Sequence, residues 1–112
     1  MSQDRFPMVP LGASQFYILL VLASGERHGL AISKEVATAT GGRVRLIPGV
    51  LYRHLKQMET DGWIVEVEPG EGAGVRRYYR LEPRGRAIVR AEAERLDAAV
   101  RIARRNRLLP SV

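Results

Sequence analysis

The chain has 112 residues, enough for one domain with a single modest core. Hydrophobic residues make up 46% of it, which excludes a disordered chain, and the absence of cysteine excludes disulfides, thiolate metal sites and cysteine nucleophiles. Eighteen Lys and Arg against twelve Asp and Glu leave a formal net charge of +6, a balance that favours a polyanionic partner, nucleic acid or an anionic surface, and says nothing about fold.

The opening "MSQDRFPMVP" is polar, carries two prolines and reads as a flexible arm over residues 1–10. It lacks the basic start, apolar core and cleavage site of a signal peptide. From Ser14, the expected N-cap, to Ala23 the chain is apolar almost all round, as in a helix buried on more than one side. Its longest apolar run, "FYILLVLA" at 16–23, falls well short of the roughly 20 residues that span a bilayer. A soluble, cytoplasmic protein with no membrane partner is expected. "SGERHG" at 24–29 ends the helix, and a second runs from about His28 to Thr40 with Ile32 and Val36 inward. His28 helps begin it and "GG" at 41–42 stops it. "RVRL" at 43–46 alternates basic and apolar residues, the pattern of a short half-buried strand.

Pro48 opens a third helix lasting to about Asp61, with Gly62 as a left-handed cap. Leu51, Leu55 and Met58 form its apolar stripe, and Gly49, Tyr52, Arg53 and Lys56 fall on nearly the opposite side. The plainer interpretation of that second stripe is a solvated face with two cations and a tyrosine. Three features favour DNA instead. With Arg43 and Arg45 just upstream, the segment 43–58 contains basic residues and no acidic ones. Gly49 removes bulk near the helix start, where backbone can approach a phosphate. Tyr52 offers a hydroxyl donor suited to a phosphate at the groove edge. Arg53 is the candidate for reading guanine, because its fork can donate two bonds; Lys56 can reach base or phosphate. His54, on the flank of the apolar arc, is expected to pack.

"WIVEVE" at 63–68 and "RRYYRL" at 76–81 read as strands joined by the glycine-rich tip "PGEGAG" at 69–74. Arg76, Arg77 and Arg80 cluster on the return strand, against Glu66, Glu68 and Glu71 on the outgoing strand and tip. Cross-strand ion pairing is one interpretation; DNA contact by Arg76 and Arg77, nearest the tip, is the other. Pro83 opens a fourth helix extending to about Arg107, after which "LLPSV" frays. Val89, Ala93, Leu96, Val100 and Ala103 repeat at spacings of four and three along it, a dimerisation seam, with an intrachain packing face as the alternative. "RRNR" at 104–107 suits the helix dipole and could also reach flanking DNA.

The expected fold class is therefore α+β, mainly α with a small β-hairpin: a winged helix-turn-helix over residues 1–82, then a C-terminal dimerisation helix and tail over 83–112. Catalysis is not expected. His28 and His54 are the only histidines and neither belongs to a carboxylate–histidine cluster; no metal, phosphate-loop or other cofactor pattern is present. The rival to DNA binding is a winged-helix interaction module whose basic face binds a protein or an anionic surface.

The stretches "ILLVLASGERHGLAI" at 18–32, "GGRVRLIPGVLYRHLKQMETDGWI" at 41–64 and "RRYYRLEPRGR" at 76–86 resemble the PadR family of winged-helix transcription regulators. With the long C-terminal helix the likeness covers nearly the whole chain. It implies a homodimer on a roughly palindromic double-stranded DNA operator, acting as a repressor. It places Tyr52, Arg53 and Lys56 on the recognition helix and Arg76 and Arg77 on the wing. The C-terminus resembles the compact subfamily with one dimerisation helix. The family also leaves room for a small-molecule effector between the long helices, of an identity the sequence does not give. Residues 82–112 contain no aromatic side chain, so such a pocket would need Phe16, Tyr17 or Trp63. The chain departs from the family pattern at Leu30, where tyrosine is common, at Val50, where threonine or serine is common, and at Glu82, where a threonine-containing version is commoner.

Overall fold

The computed structural model describes residues 10–68 and 76–110. Helix α1, Ala13–Ala23, buries Ile18, Leu19 and Leu22, while Phe16, Tyr17, Val21 and Ala23 pack against the core from its flanks. It begins one residue beyond Gly12, which supplies the cap in place of the expected Ser14. The Gly12 backbone is already extended and its carbonyl accepts from the Phe16 amide at 3.0 Å, so Ser14 lies within the first turn. Strand β1, Arg27–His28, follows at once, and the His28 ring then caps α2, Gly29–Ala39, accepting from the Ala31 amide at 3.2 Å. Ile32 and Val36 are fully buried on its inner face.

The segment 43–46 is not a strand. Its polar backbone finds side chains, not a neighbouring strand: the Val44 amide donates to Thr40 Oγ1 at 3.0 Å, and Ser33 Oγ donates to the Leu46 carbonyl at 3.0 Å. The alternation that suggested a strand is nevertheless present, with Leu46 buried, Val44 half-buried and Arg43 and Arg45 exposed. The third strand of the sheet is β1, whose two residues are too few for a period of two to show in the sequence.

Helix α3, Pro48–Thr60, seats Leu51, Leu55 and Met58 in the core. It ends on Gly62 at φ 78°, the left-handed conformation expected there. Strands β2, Ile64–Val67, and β3, Tyr78–Leu81, pair antiparallel with Val65 opposite Arg80 and Glu66 opposite Tyr79; β1 adds to the other edge of β3, giving the order β1-β3-β2. The hairpin tip at 69–75 and the N-terminal arm through residue 9 lie outside the described residues. Arg80 faces Glu26 at 3.9 Å and Glu82 at 3.7 Å, not a carboxylate of β2.

Helix α4, Pro83–Arg105, starts over the end of this sheet. The Glu82 amide donates to the Trp63 carbonyl at 2.9 Å, and a Cβ on Gly85 would stand 2.1 Å from that same oxygen. Only a glycine lets the helix lie this close. Ile88 and Val89 then enter the common core, which thus runs across residue 82. Glu92, 2% exposed, completes the contact. Its carboxylate accepts from Arg95 Nε at 2.9 Å and Nη2 at 2.8 Å. Those hydrogen bonds hold its pKa below the ordinary carboxylate value against the opposing effect of burial, helped by the Leu11 backbone amide and the charge of Arg95. Beyond Glu92 no residue of α4 is buried. The helix ends at Arg105, and Arg107 adopts φ 59° while the Leu108 amide donates to the Ala103 carbonyl at 2.9 Å, a reversal that turns the chain back on the helix.

Two outcomes follow from this junction. Gly85→Ala, which in an open helix would stabilise by up to about 1 kcal/mol, is expected to destabilise by about 1–3 kcal/mol, as measured by urea unfolding. Because Glu92 has a depressed pKa in the folded chain, its contribution is fully present above its unfolded pKa and is lost as pH falls through the folded one. Stability should therefore drop on acidification below about pH 4.5, the ordinary value for this carboxyl. The Glu92→Gln variant should be weaker at neutral pH and lose less on acidification.

Candidate nucleic-acid interface

The outward face of α3 is set by what its other face must bury. Leu51, Leu55 and Met58 are at most 2% exposed, so the positions about half a turn away point to solvent. Gly49, Tyr52, Arg53 and Lys56 are all exposed, in the i, i+3, i+4, i+7 relation of one helix face. Arg43 and Arg45 stand exposed in the loop that leads into the helix. None of Arg43, Arg45, Arg53 and Lys56 forms an ion pair with a carboxylate among the described residues. The positive charge of this face is therefore not neutralised by ion pairs among the described residues.

The start of α3 is left open. Its N-cap, Ile47, makes no side-chain bond to the first-turn amides, and a Cβ on Gly49 would meet nothing within 4 Å. Tyr52 is 48% exposed, and its ring lies across the start of α2: a Cβ on Gly29 would stand 2.6 Å from the Tyr52 hydroxyl oxygen. Gly29 thus gives the ring its berth, a relation between distant positions that no local pattern reveals. His54 is half-buried at the flank, as expected, and burial, then the neighbouring Arg53 charge, lowers its pKa. Its imidazole consequently adds no charge to the face at neutral pH.

Arg76 and Arg77 are exposed where the chain enters β3. They belong to the wing and not to α3, so the candidate residues occupy two separate elements. Of the proposed seam on α4, Val89 is 5% exposed inside the chain's own core and packs within the chain. Ala93 is exposed, and Leu96, Val100 and Ala103 are half-buried along the part of the helix that leaves the body. Ile102 at 50% exposed lies beside them, unmarked by the heptad pattern. The described residues contain no group of His, Asp and Glu side chains arranged to hold a metal ion, and none of their helices is long and apolar enough to cross a membrane.

Comparison with known proteins agrees with this architecture. The family described as "Transcriptional regulator PadR-like family" matches residues 18–91. A transcriptional regulator of Mycobacterium tuberculosis is 32% identical over 89 residues, which is 80% of this chain and 80% of the relative. Among solved structures, a transcriptional regulator from Clostridium thermocellum aligns with a TM-score of 0.69 at 25% identity, over 81% of this chain and 89% of its own. A PadR family transcription regulator from Clostridium difficile aligns with a TM-score of 0.69 at 22% identity, over 84% of this chain and 97% of its own, a likeness that speaks to the fold alone.

Proposed function

The chain belongs to the PadR-like family of transcriptional regulators, and from that premise we propose that it is a sequence-specific double-stranded DNA-binding repressor acting as a homodimer on a roughly palindromic operator. Members of this family are regulators and not enzymes. The observation that carries the reading is the unpaired basic face of α3: Arg53 and Lys56 beside Tyr52 and Gly49, continued by Arg43 and Arg45. In this reading α3 enters the major groove, Arg53 donates its fork to guanine, and Lys56 reaches base or phosphate. Tyr52, braced on Gly29, contacts a phosphate from the groove edge. Arg76 and Arg77 hold the backbone beside the wing.

The homodimer is supported by the outer half of α4. A helix of 23 residues is about 34 Å long. Past Glu92 none of its side chains is buried among the described residues. Ala93, Leu96, Val100 and Ala103, with Ile102, would meet their copies there, the alanines permitting close approach. Val89 is spent on the protomer's core and takes no part. The division of labour is a winged helix-turn-helix over 1–82 and a dimerisation helix over 83–112, with the base of that helix through Glu92 also serving the core of the winged body. A small-molecule effector bound between such helices would draw on Phe16 and Tyr17, whose rings pack 5.7 Å apart on α1, and not on Trp63, which is 2% exposed.

The test is a salt titration of affinity for a selected operator and for bulk DNA. Each phosphate neutralised should contribute about −0.9 to the log–log slope. Arg53→Ala should cost about 1–3 kcal/mol on the operator and relax preference at one base pair. Arg76→Ala should weaken binding to all sequences alike. A shallow slope with no preference for any sequence would point instead to a protein or anionic surface as the partner of this face.

A further inference from the structure

Ile47 departs from local expectation twice over. It is the N-cap of α3, a position where Ser, Thr, Asp or Asn would accept a bond from the first-turn amides, and it makes none. It is also 63% exposed, a large aliphatic side chain at the start of α3, between the exposed Arg45 of the loop and the exposed Tyr52 and Arg53 of the helix in sequence. Its direction is fixed from behind. Leu46 is 6% exposed, and Ser33 Oγ holds its carbonyl at 3.0 Å. In the segment that follows α2 burial alternates, with Val44 and Leu46 covered and Arg45 and Ile47 exposed. Pro48 restricts the residue before it to extended backbone, which Ile47 adopts at φ −71° and ψ 153°. Its β-branch stiffens χ1. The side chain is therefore presented outward with little freedom left to lose on contact.

We propose that Ile47 is a specificity-determining residue that packs on the C5 methyl group of a thymine in the operator's major groove. This rests on the DNA-binding reading given above and extends it to a base that the arginines do not read. In helix-turn-helix proteins, residues at the start of the recognition helix reach the base edges. Of the groups displayed in the major groove, the thymine methyl is the apolar one, and a branched aliphatic side chain has no hydrogen bond to offer any other. A capping residue at this position would have stabilised α3 and read nothing apolar. The exposed isoleucine gives up that cap at the point where the helix would first meet a base.

The experiment replaces each operator thymine singly by deoxyuridine, which removes the methyl group and keeps every hydrogen bond. Wild-type protein should bind about fourfold more weakly when one particular thymine of a half-site is replaced, the effect of withdrawing one buried methyl-sized group. Ile47→Ala and Ile47→Ser should bind the thymine and deoxyuridine operators equally. Ile47→Ser restores a capping hydroxyl and should melt no lower than wild type, so its loss of discrimination cannot be a loss of fold. Sequence-selective binding with no methyl-dependent position, or methyl dependence that persists in Ile47→Ser, overturns this assignment alone. Absence of any sequence-selective binding overturns it together with the DNA reading.

Discussion

The burial of one apolar stripe, Leu51, Leu55 and Met58, decides the character of the molecule's surface. Rotating α3 by half a turn would expose those side chains and drive Arg53 and Lys56 into the core, where an uncompensated charge is far costlier than the lost apolar contact. The helix therefore has one orientation, and its basic face is a consequence of its hydrophobic one. The loop before it is held as firmly: Thr40 receives the Val44 amide, and Ser33 grips the Leu46 carbonyl. From the other side, Gln15 of α1 donates to Gln57 of α3 at 2.9 Å. An arrangement this constrained presents charges at defined positions, which is what distinguishes a reading surface from a merely positive one.

The same core anchors α4. Gly85 against the Trp63 carbonyl, Ile88 and Val89 among the core side chains, and buried Glu92 at the Leu11 amide fix the base of that helix to the body that carries α3. Its outer half then inherits a direction. In the proposed dimer, the position of α3 relative to α4 is thus set inside each protomer before the partner arrives, and the crossing of the outer α4 segments then fixes the separation of the two α3 helices. That is the geometric condition for matching half-sites about 34–36 Å apart or a multiple of that.

The helices were legible in the sequence from different signals: α1 from a continuous apolar run, α3 and α4 from periodic stripes, with Pro48 and Gly62 bracketing α3 and the glycines at 41–42 ending α2. Other features depend on partners distant in sequence. Strand β1 exists because β3 offers an edge to Arg27 and His28, and two residues carry no period. The segment 43–46 has a strand's alternation without a strand's neighbour, since side chains of α2 and its cap satisfy its backbone. Val89 fitted the heptad spacing yet belongs to the core, because a helix that packs at its base and projects at its tip serves two surfaces along one stripe. Ile47 was visible in hindsight as the next outward residue of the alternation that begins at Arg43. On the candidate face itself, Gly49, Tyr52, Arg53 and Lys56 were read from helical spacing, the acid-free basic run around them and the family resemblance, and the bracing of Tyr52 by Gly29 required coordinates.

The account turns on whether the outward face of α3 occupies a major groove, and guanine methylation interference asks this most directly. Methylation of guanine N7 adds bulk in that groove at the atom an arginine fork would use. The expected result is interference at guanines in symmetric tracts one helical turn or a multiple apart, with one guanine in each tract losing its effect when Arg53 is replaced by alanine. Specific binding indifferent to N7 methylation, or an interference pattern unchanged by that replacement, would contradict it.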